Sequence, residues 1–277
     1  MSDDTLTTSF RVLRAPDHIL QDLLGRRRDM RQDVPTGVTD AGPSSGASDP
    51  LALARRLLVE ARAGVADPSC RAALASLDPS ELAAALRDEP SRTAFWLNVY
   101  NASVRARLLA DPAAFRPRWR FFTTSAITVA GRRLSPNAIE HGLLRRSALS
   151  LGLGYLRNPA PSAFERGLRV ARVDARMHFA LNCGARSCPP LAVWEPASLD
   201  DDLERATRAY LIAETRRRSA GRTLLVPRLL LWYRGDFGGS AGVRRLLERH
   251  AVIAAGEQVR IRYGRYDWTL DLDEPTA

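Results

Sequence analysis

The sequence predicts a mainly helical α+β single domain with a few short strands, and three observations carry that expectation. Asp-Pro pairs open three successive stretches, at Asp49-Pro50, Asp67-Pro68 and Asp78-Pro79, and aspartate before proline is a helix start. Apolar residues then recur at three- and four-residue spacing as far as Ala110, which is the period of a packed helix. Strand-like alternation is confined to short pieces such as "AITVAG" and "RTLLVP", so strands decorate the helices rather than form a large sheet.

In chain order, "PDHILQDLLGRRRDMRQ" predicts one short helix, with His18 as a surface or capping residue. "PTGVTDAGPSSGASDP" reads as a linker, because Gly, Ser and Pro leave it almost no large apolar residue. Residues 1–48 are therefore expected to be a flexible extension, and 49–277 the folded domain. The first domain helix runs from Pro50 to a stop at Gly64. Short helices follow at Pro68–Leu77, with Cys70 as a small core residue, and at Pro79–Arg87. The longest is Ser91–Ala110, whose Phe95, Val99, Ala102 and Ala106 define a buried face, with Asn98 and Asn101 on the same side. Amides buried there need partners, so both asparagines are structural clamps or site residues.

"AITVAG" and "RRLS" predict a hairpin turning at Gly131, after which Ser135 caps a helix from Pro136 to Arg145 that carries Glu140 and His141. Residues 151–167 are punctuated by Gly and Pro and read as loop. "MHFAL" is compatible with a buried strand and "NCG" with a turn off its end. A helix capped by Ser198, the strand "RTLLVP", a short helix in "RLLLWYRGDFGG" and a helix ending at His250 complete the core. His250 as a cation would suit the helix dipole. "VRIRYGRYDWTLDL" closes the chain as two short strands around Gly264.

Composition narrows the function. The 277 residues are 45% hydrophobic and 26% charged, ordinary for a globular protein. No apolar run approaches the ~20 residues that span a bilayer. The acidic start "MSDDTLTTSF" lacks a secretory signal pattern, and three cysteines do not make a disulfide framework; both predict a cytoplasmic protein. The net charge of +10 comes from 41 basic residues that are all arginine. They are scattered rather than gathered into a stripe, so a nucleic-acid partner is not favoured. A small-molecule or peptide ligand is expected instead, and no cofactor is firmly implied.

The densest chemistry lies in "RMHFALNCGARSCPPL", which holds His178, Cys183 and Cys188. A thiol becomes a nucleophile when an imidazole, a cation or a helix N-terminus promotes its ionisation. The leading expectation is a thiol-dependent hydrolase or acyl-type transferase, with Cys183 as nucleophile and His178 as base or orienting residue. His141, Glu140, Asn98, Asn101 and Cys188 are further candidates, and Arg145 or Arg186 could bind an anionic group. The alternatives are a non-enzymatic interaction or ligand-binding module, a redox pair of Cys183 and Cys188, or a metal site. For a metal, Glu140 or His141 would have to complete the shell, because His-x4-Cys-x4-Cys lacks the compact zinc spacing. Asp236 is expected to anchor an arginine such as Arg145, and Trp96, Tyr100, Trp232, Tyr233 and Phe237 to be core aromatics.

"AFWLNVYNA", "GRRLSPNAIEHGLLR", "MHFALNCGARSCPPL", "LWYRGDF" and "YDWTL", in that order, resemble the bacterial branch of the family known as domain of unknown function 547, over roughly residues 91–272. That family's name records that its activity is not established, so the resemblance brings the motifs and names no reaction.

Overall fold

Aspartates open four helices in succession. The computed structural model describes residues 49–272 except 66, 219 and 220, so the expected 1–48 extension, with the helix around His18, lies outside the described residues. Helices α1 (Pro50–Arg62), α2 (Pro68–Ser76), α3 (Pro79–Ala85) and α4 (Glu89–Ala110) begin at Asp49, Asp67, Asp78 and Asp88. Each carboxylate accepts from backbone N–H groups of the first turn, satisfying donors that have no partner within the helix. Asp88 starts α4 two residues ahead of the expected position.

Helix α4 is the axis of the fold. Every residue from 93 to 104 is buried, so the single apolar face expected from Phe95, Val99, Ala102 and Ala106 becomes burial all round, with Ala106 half-buried. The reason is tertiary: α1 packs along it, the Trp96 indole N–H donates to the Leu168 carbonyl at 2.9 Å, and the Trp194 and cysteine segments close the remaining sides. A helix enclosed in this way loses its amphipathic signature.

Helix α5 (Arg118–Thr123) leads into the expected hairpin, β1 (Ile127–Val129) with β2 (Arg132–Leu134), Ile127 lying opposite Leu134. The helix expected over Pro136–Arg145 is instead a π-helix, Ala138–Leu144. The Arg145 N–H reaches the Glu140 carbonyl and that of Ser147 reaches Gly142, both at 2.8 Å. The Ser135 hydroxyl accepts from the Ala138 N–H at its start. A short α6 (Ala163–Leu168) interrupts the loop expected over 151–167.

"MHFAL" is not a strand. Residues Ala175–Phe179 form a 3₁₀ turn that Asp174 opens by accepting the Arg176 N–H at 2.9 Å, a local carboxylate-to-backbone bond that competes with strand pairing. Helix α7 (Leu199–Glu214) follows. Strands β3 (Arg216–Arg218), β4 (Thr223–Val226) and β5 (Arg260–Tyr263) form one sheet, antiparallel at β3–β4 and parallel at β4–β5. β3 is wholly exposed and was hidden in the sequence as a charge cluster. Between β4 and β5 lie α8 (Leu229–Trp232) and α9 (Gly239–Arg249).

The last expected strand is absent. Residues 267–271 run antiparallel to 184–187, with the Arg186 N–H donating to Thr269 at 2.8 Å and that of Asp271 to Gly184 at 2.9 Å. Residues 267–271 therefore lie against the cysteine segment. His250 also departs from expectation: it is buried, and burial lowers its pKa, so a neutral ring replaces the cation at the end of α9. One apolar cluster surrounds α4; a second joins α7, β4, α8 and α9 through Tyr210, Leu224, Leu230 and Leu247. The site lies where they meet. Among the described residues, no helix is long and apolar enough to cross a membrane.

Candidate functional site

The cysteine segment is held by amides of α4. Asn101 donates to the Ala180 carbonyl and accepts from the Asn182 N–H, both at 2.9 Å. Asn98 holds Trp194 in the same two-point way, donating to its carbonyl at 2.8 Å and accepting its N–H at 3.0 Å. Asn182 in turn accepts the Gly184 N–H at 2.8 Å. Gly184 has φ +81°, where a Cβ would also run into the Leu108 methyl group, so only glycine fits the turn beside Cys183. We expect Asn101→Ala to cost about 2 kcal/mol in urea unfolding, because it strands the buried Ala180 carbonyl and the Asn182 N–H.

Past this turn the two thiols meet. The Cys183 N–H donates to the Cys188 sulfur at 3.0 Å, and the Tyr266 hydroxyl lies 3.4 Å from the Cys183 sulfur and 3.1 Å from that of Cys188. All three cysteines are free.

A buried polar network approaches from the other side. Asp236 Oδ2 sits 2.6 Å from Arg145 Nε and 3.0 Å from His178 Nε2. The Arg145 and Asp236 side chains are both 0% exposed, so the pair expected from the sequence is present. Arg145 also reaches His141 Nδ1 at 2.8 Å, across one turn of the π-helix. The Tyr233 ring stacks on His178 at 3.8 Å, with the Arg145 guanidinium 4.7 Å from its centroid, and burial together with the nearby Glu140 carboxylate holds its pKa well up.

These partners fix the histidine tautomers. A guanidinium only donates, so His141 Nδ1 accepts and its Nε2 carries the proton. An ionised Asp236 only accepts, so His178 donates from Nε2 and its Nδ1 holds the lone pair. Both rings line one cavity of about 60 Å³, together with Cys183, Glu140, Asn137 and the aromatic rings of Phe122, Trp232, Tyr233, Tyr266 and Trp268. A larger cleft of about 1010 Å³, bordered by Arg172, Arg176, Arg245 and Arg249, has Asp236 and Phe237 in its wall.

Residues 84–211 match the family model DUF547, a protein of unknown function. The match covers less than half of the chain. No curated protein and no solved structure matches it. The DUF547 match takes in Asn98, Asn101, Glu140, His141, Arg145, His178, Cys183 and Cys188, while Tyr233, Asp236 and Tyr266 lie beyond its end. The matched residues thus supply the thiols, the histidines, Arg145 and the Asn101 clamp, and residues 212–272 add Tyr233, Asp236 and Tyr266.

The structure brings Cys183, His178, Glu140 and His141 to one cavity. Cys188 lies behind Cys183, against Tyr266. Asn98 and Asn101 act as clamps on the backbone. Arg145 is fully buried on Asp236, whereas Arg186 is exposed and pairs with Asp271 at 3.3 Å. Sequence reasoning did not place Asn137, Tyr266 and Trp268 at the site, and it assigned Trp232 and Tyr233 to the core. Both are half-buried and face the cavity. Among the described residues, no group of three or more His, Cys, Asp or Glu side chains could hold a metal ion.

Electrostatics sort the groups by role. Burial alone would raise the Asp236 carboxyl, but its bond to His178 and the Arg145 guanidinium bring it down to about 2. Burial lowers His178 against the pull of Asp236, leaving a neutral ring at neutral pH. Burial and the neighbouring Cys188 push the Cys183 thiol well up. Cys188 moves the other way: burial raises it, but donation from the Cys183 thiol, from Tyr266 and from the Cys183 and Ala185 backbone carries it below the ordinary thiol range. Burial and both thiols hold Tyr266 well above its usual value, so its hydroxyl stays protonated and can donate.

Proposed function

We propose that the cavity is a thiol-dependent acyl-transfer site of a hydrolase or transferase, with Cys183 as nucleophile and His178 as its base. The observation that carries this reading is that Cys183 and His178 line the same cavity while His178 is fixed from behind by a buried carboxylate. The Cys183 proton passes to His178 Nδ1 as the sulfur attacks an acyl carbonyl, forming a thioester. The leaving group takes that proton, and water or an acceptor then releases the acyl group. Asp236 is a positioning residue: it sets the tautomer and stabilises the imidazolium, and Arg145 holds Asp236 in turn. His141, with its proton on Nε2, supplies a donor for the developing oxyanion. The volume of about 60 Å³ is well below the ~300 Å³ of a typical drug-sized ligand pocket, so the reading takes a small acyl group into the cavity and leaves the remainder of the substrate outside.

The test is p-nitrophenyl acetate with fully reduced protein. An acetyl group is expected on Cys183 by peptide mapping, absent from Cys183→Ser and formed about 100-fold more slowly in His178→Gln, with circular dichroism confirming that both variants fold. The acid limb of the acylation rate is expected below pH 6.5, because burial lowers His178 from that value. An unmodified Cys183, or acetylation at the same rate without the imidazole, refutes the proposal and leaves an interaction module whose polar residues stitch its elements together.

A further inference from the structure

We infer that Cys183 and Cys188 are a reversible dithiol, closing to an intrachain disulfide in exchange with small-molecule disulfides. The inference rests on the contacts of the two sulfurs and goes beyond the acyl-transfer reading, since it holds whatever the cavity binds. Two contacts bring the thiols together: the Cys183 N–H on the Cys188 sulfur at 3.0 Å, and the Tyr266 hydroxyl that both sulfurs share. The intervening turn is set by the Cys188 N–H on the Ala185 carbonyl at 2.8 Å and by Gly184 at φ +81°. Both cysteines are half-buried, and Cys183 lines the cavity. Cys70 is the internal control: it is 1% exposed, with its sulfur 3.4 Å from the Leu53 carbonyl, and burial raises its pKa.

The two thiols also differ as the chemistry requires. Cys188 is the more acidic and Cys183 the less, which separates an attacking thiolate from a resolving thiol. The Cys188 thiolate attacks one sulfur of a disulfide RSSR; that S–S bond breaks and RS⁻ departs, leaving a mixed disulfide on Cys188. Cys183 then gives its proton to the departed RS⁻ and attacks the Cys188 sulfur, expelling the second RS⁻, which takes a proton from water. Two protein thiols are oxidised by two electrons and one RSSR is reduced to two RSH. A thiol in excess reverses both steps. Closure removes the Cys183 thiol from the cavity, so any chemistry that needs it stops until the bond is reduced.

Oxidised glutathione is the probe. Wild-type protein is expected to lose the mass of two hydrogens, with a Cys183–Cys188 peptide on mapping, Cys70 still reduced, and full recovery in dithiothreitol. Cys183→Ser should stop at glutathione on Cys188, and Cys188→Ser should react at least about tenfold more slowly. Glutathione persisting on the wild type without closure, or a disulfide through Cys70, overturns the inference. His178→Gln separates this reading from acyl transfer: closure in that variant without any acetylated Cys183 in the wild type leaves the dithiol standing alone. Acetylation without closure leaves only the nucleophile.

Discussion

Replacing Asp236 with alanine is expected to destabilise the protein by about 3–5 kcal/mol, the range for breaking a buried ion pair from one side. The cause is what remains. Arg145 keeps its charge at 0% exposure and loses its carboxylate, while His178 Nε2 loses its acceptor. Arg157, 3.8 Å from the other Asp236 oxygen, brings a second positive charge to the gap. Asp236→Asn keeps the shape and one acceptor oxygen but not the charge, so it should fall between alanine and wild type. Urea unfolding of the three proteins at neutral pH measures this, and equal midpoints would mean that the pair carries no stability.

The same residues give the pH dependence a sign. The Asp236 pKa is depressed to about 2, so its contribution of about 2 kcal/mol is present above the ordinary carboxylate range and is lost as pH falls through 2. His178 is also lowered, by burial. A base that is harder to protonate when folded gives stability that is complete above 6.5 and declines below it, where the unfolded chain takes up the proton first. Stability should therefore fall in two stages on acidification, and Asp236→Ala should diminish the lower one, to which other carboxylates with lowered values, such as Glu257, also contribute.

Much of this site was legible in the sequence, and the remainder was hidden for physical reasons. Asp-Pro starts located three helices because a cap is a local interaction. The mainly helical α+β class followed, and the Arg145–Asp236 pair could be anticipated because a buried aspartate among aromatics needs a cation. The strand expected at "MHFAL" failed because Asp174 nucleates a turn there, a bond that hydrophobic alternation does not encode. Trp232 and Tyr233 were assigned to the core because aromatic size predicts burial and says nothing of which ring edges a cavity. Tyr266 joins both sulfurs although 78 residues separate it from Cys188. That junction depends on residues 267–271 pairing with 184–187, a long-range register without a period or spacing to announce it.

Gly235→Ala should cost about 2–3 kcal/mol although the position carries no side chain. The Gly235 N–H donates to the Leu153 carbonyl at 2.7 Å, and a Cβ there would lie 2.6 Å from the Gly154 carbonyl carbon and 2.8 Å from its oxygen. Those are backbone atoms that no rotamer change can move aside. The two loops touch because each presents a glycine: a Cβ on Gly154 would in turn meet the Asp236 N–H nitrogen at 2.9 Å and its Oδ1 at 3.0 Å. One added methyl group must therefore push apart the loop that carries Asp236 and the loop behind it. The carboxylate would leave His178, and the ring would lose the partner that holds its pKa up against burial. The expected result is a lower unfolding midpoint together with a downward shift of the His178 titration by NMR. A variant as stable as wild type, with an unmoved titration, would show that the two loops do not press on each other and that Asp236 is held by Arg145 alone.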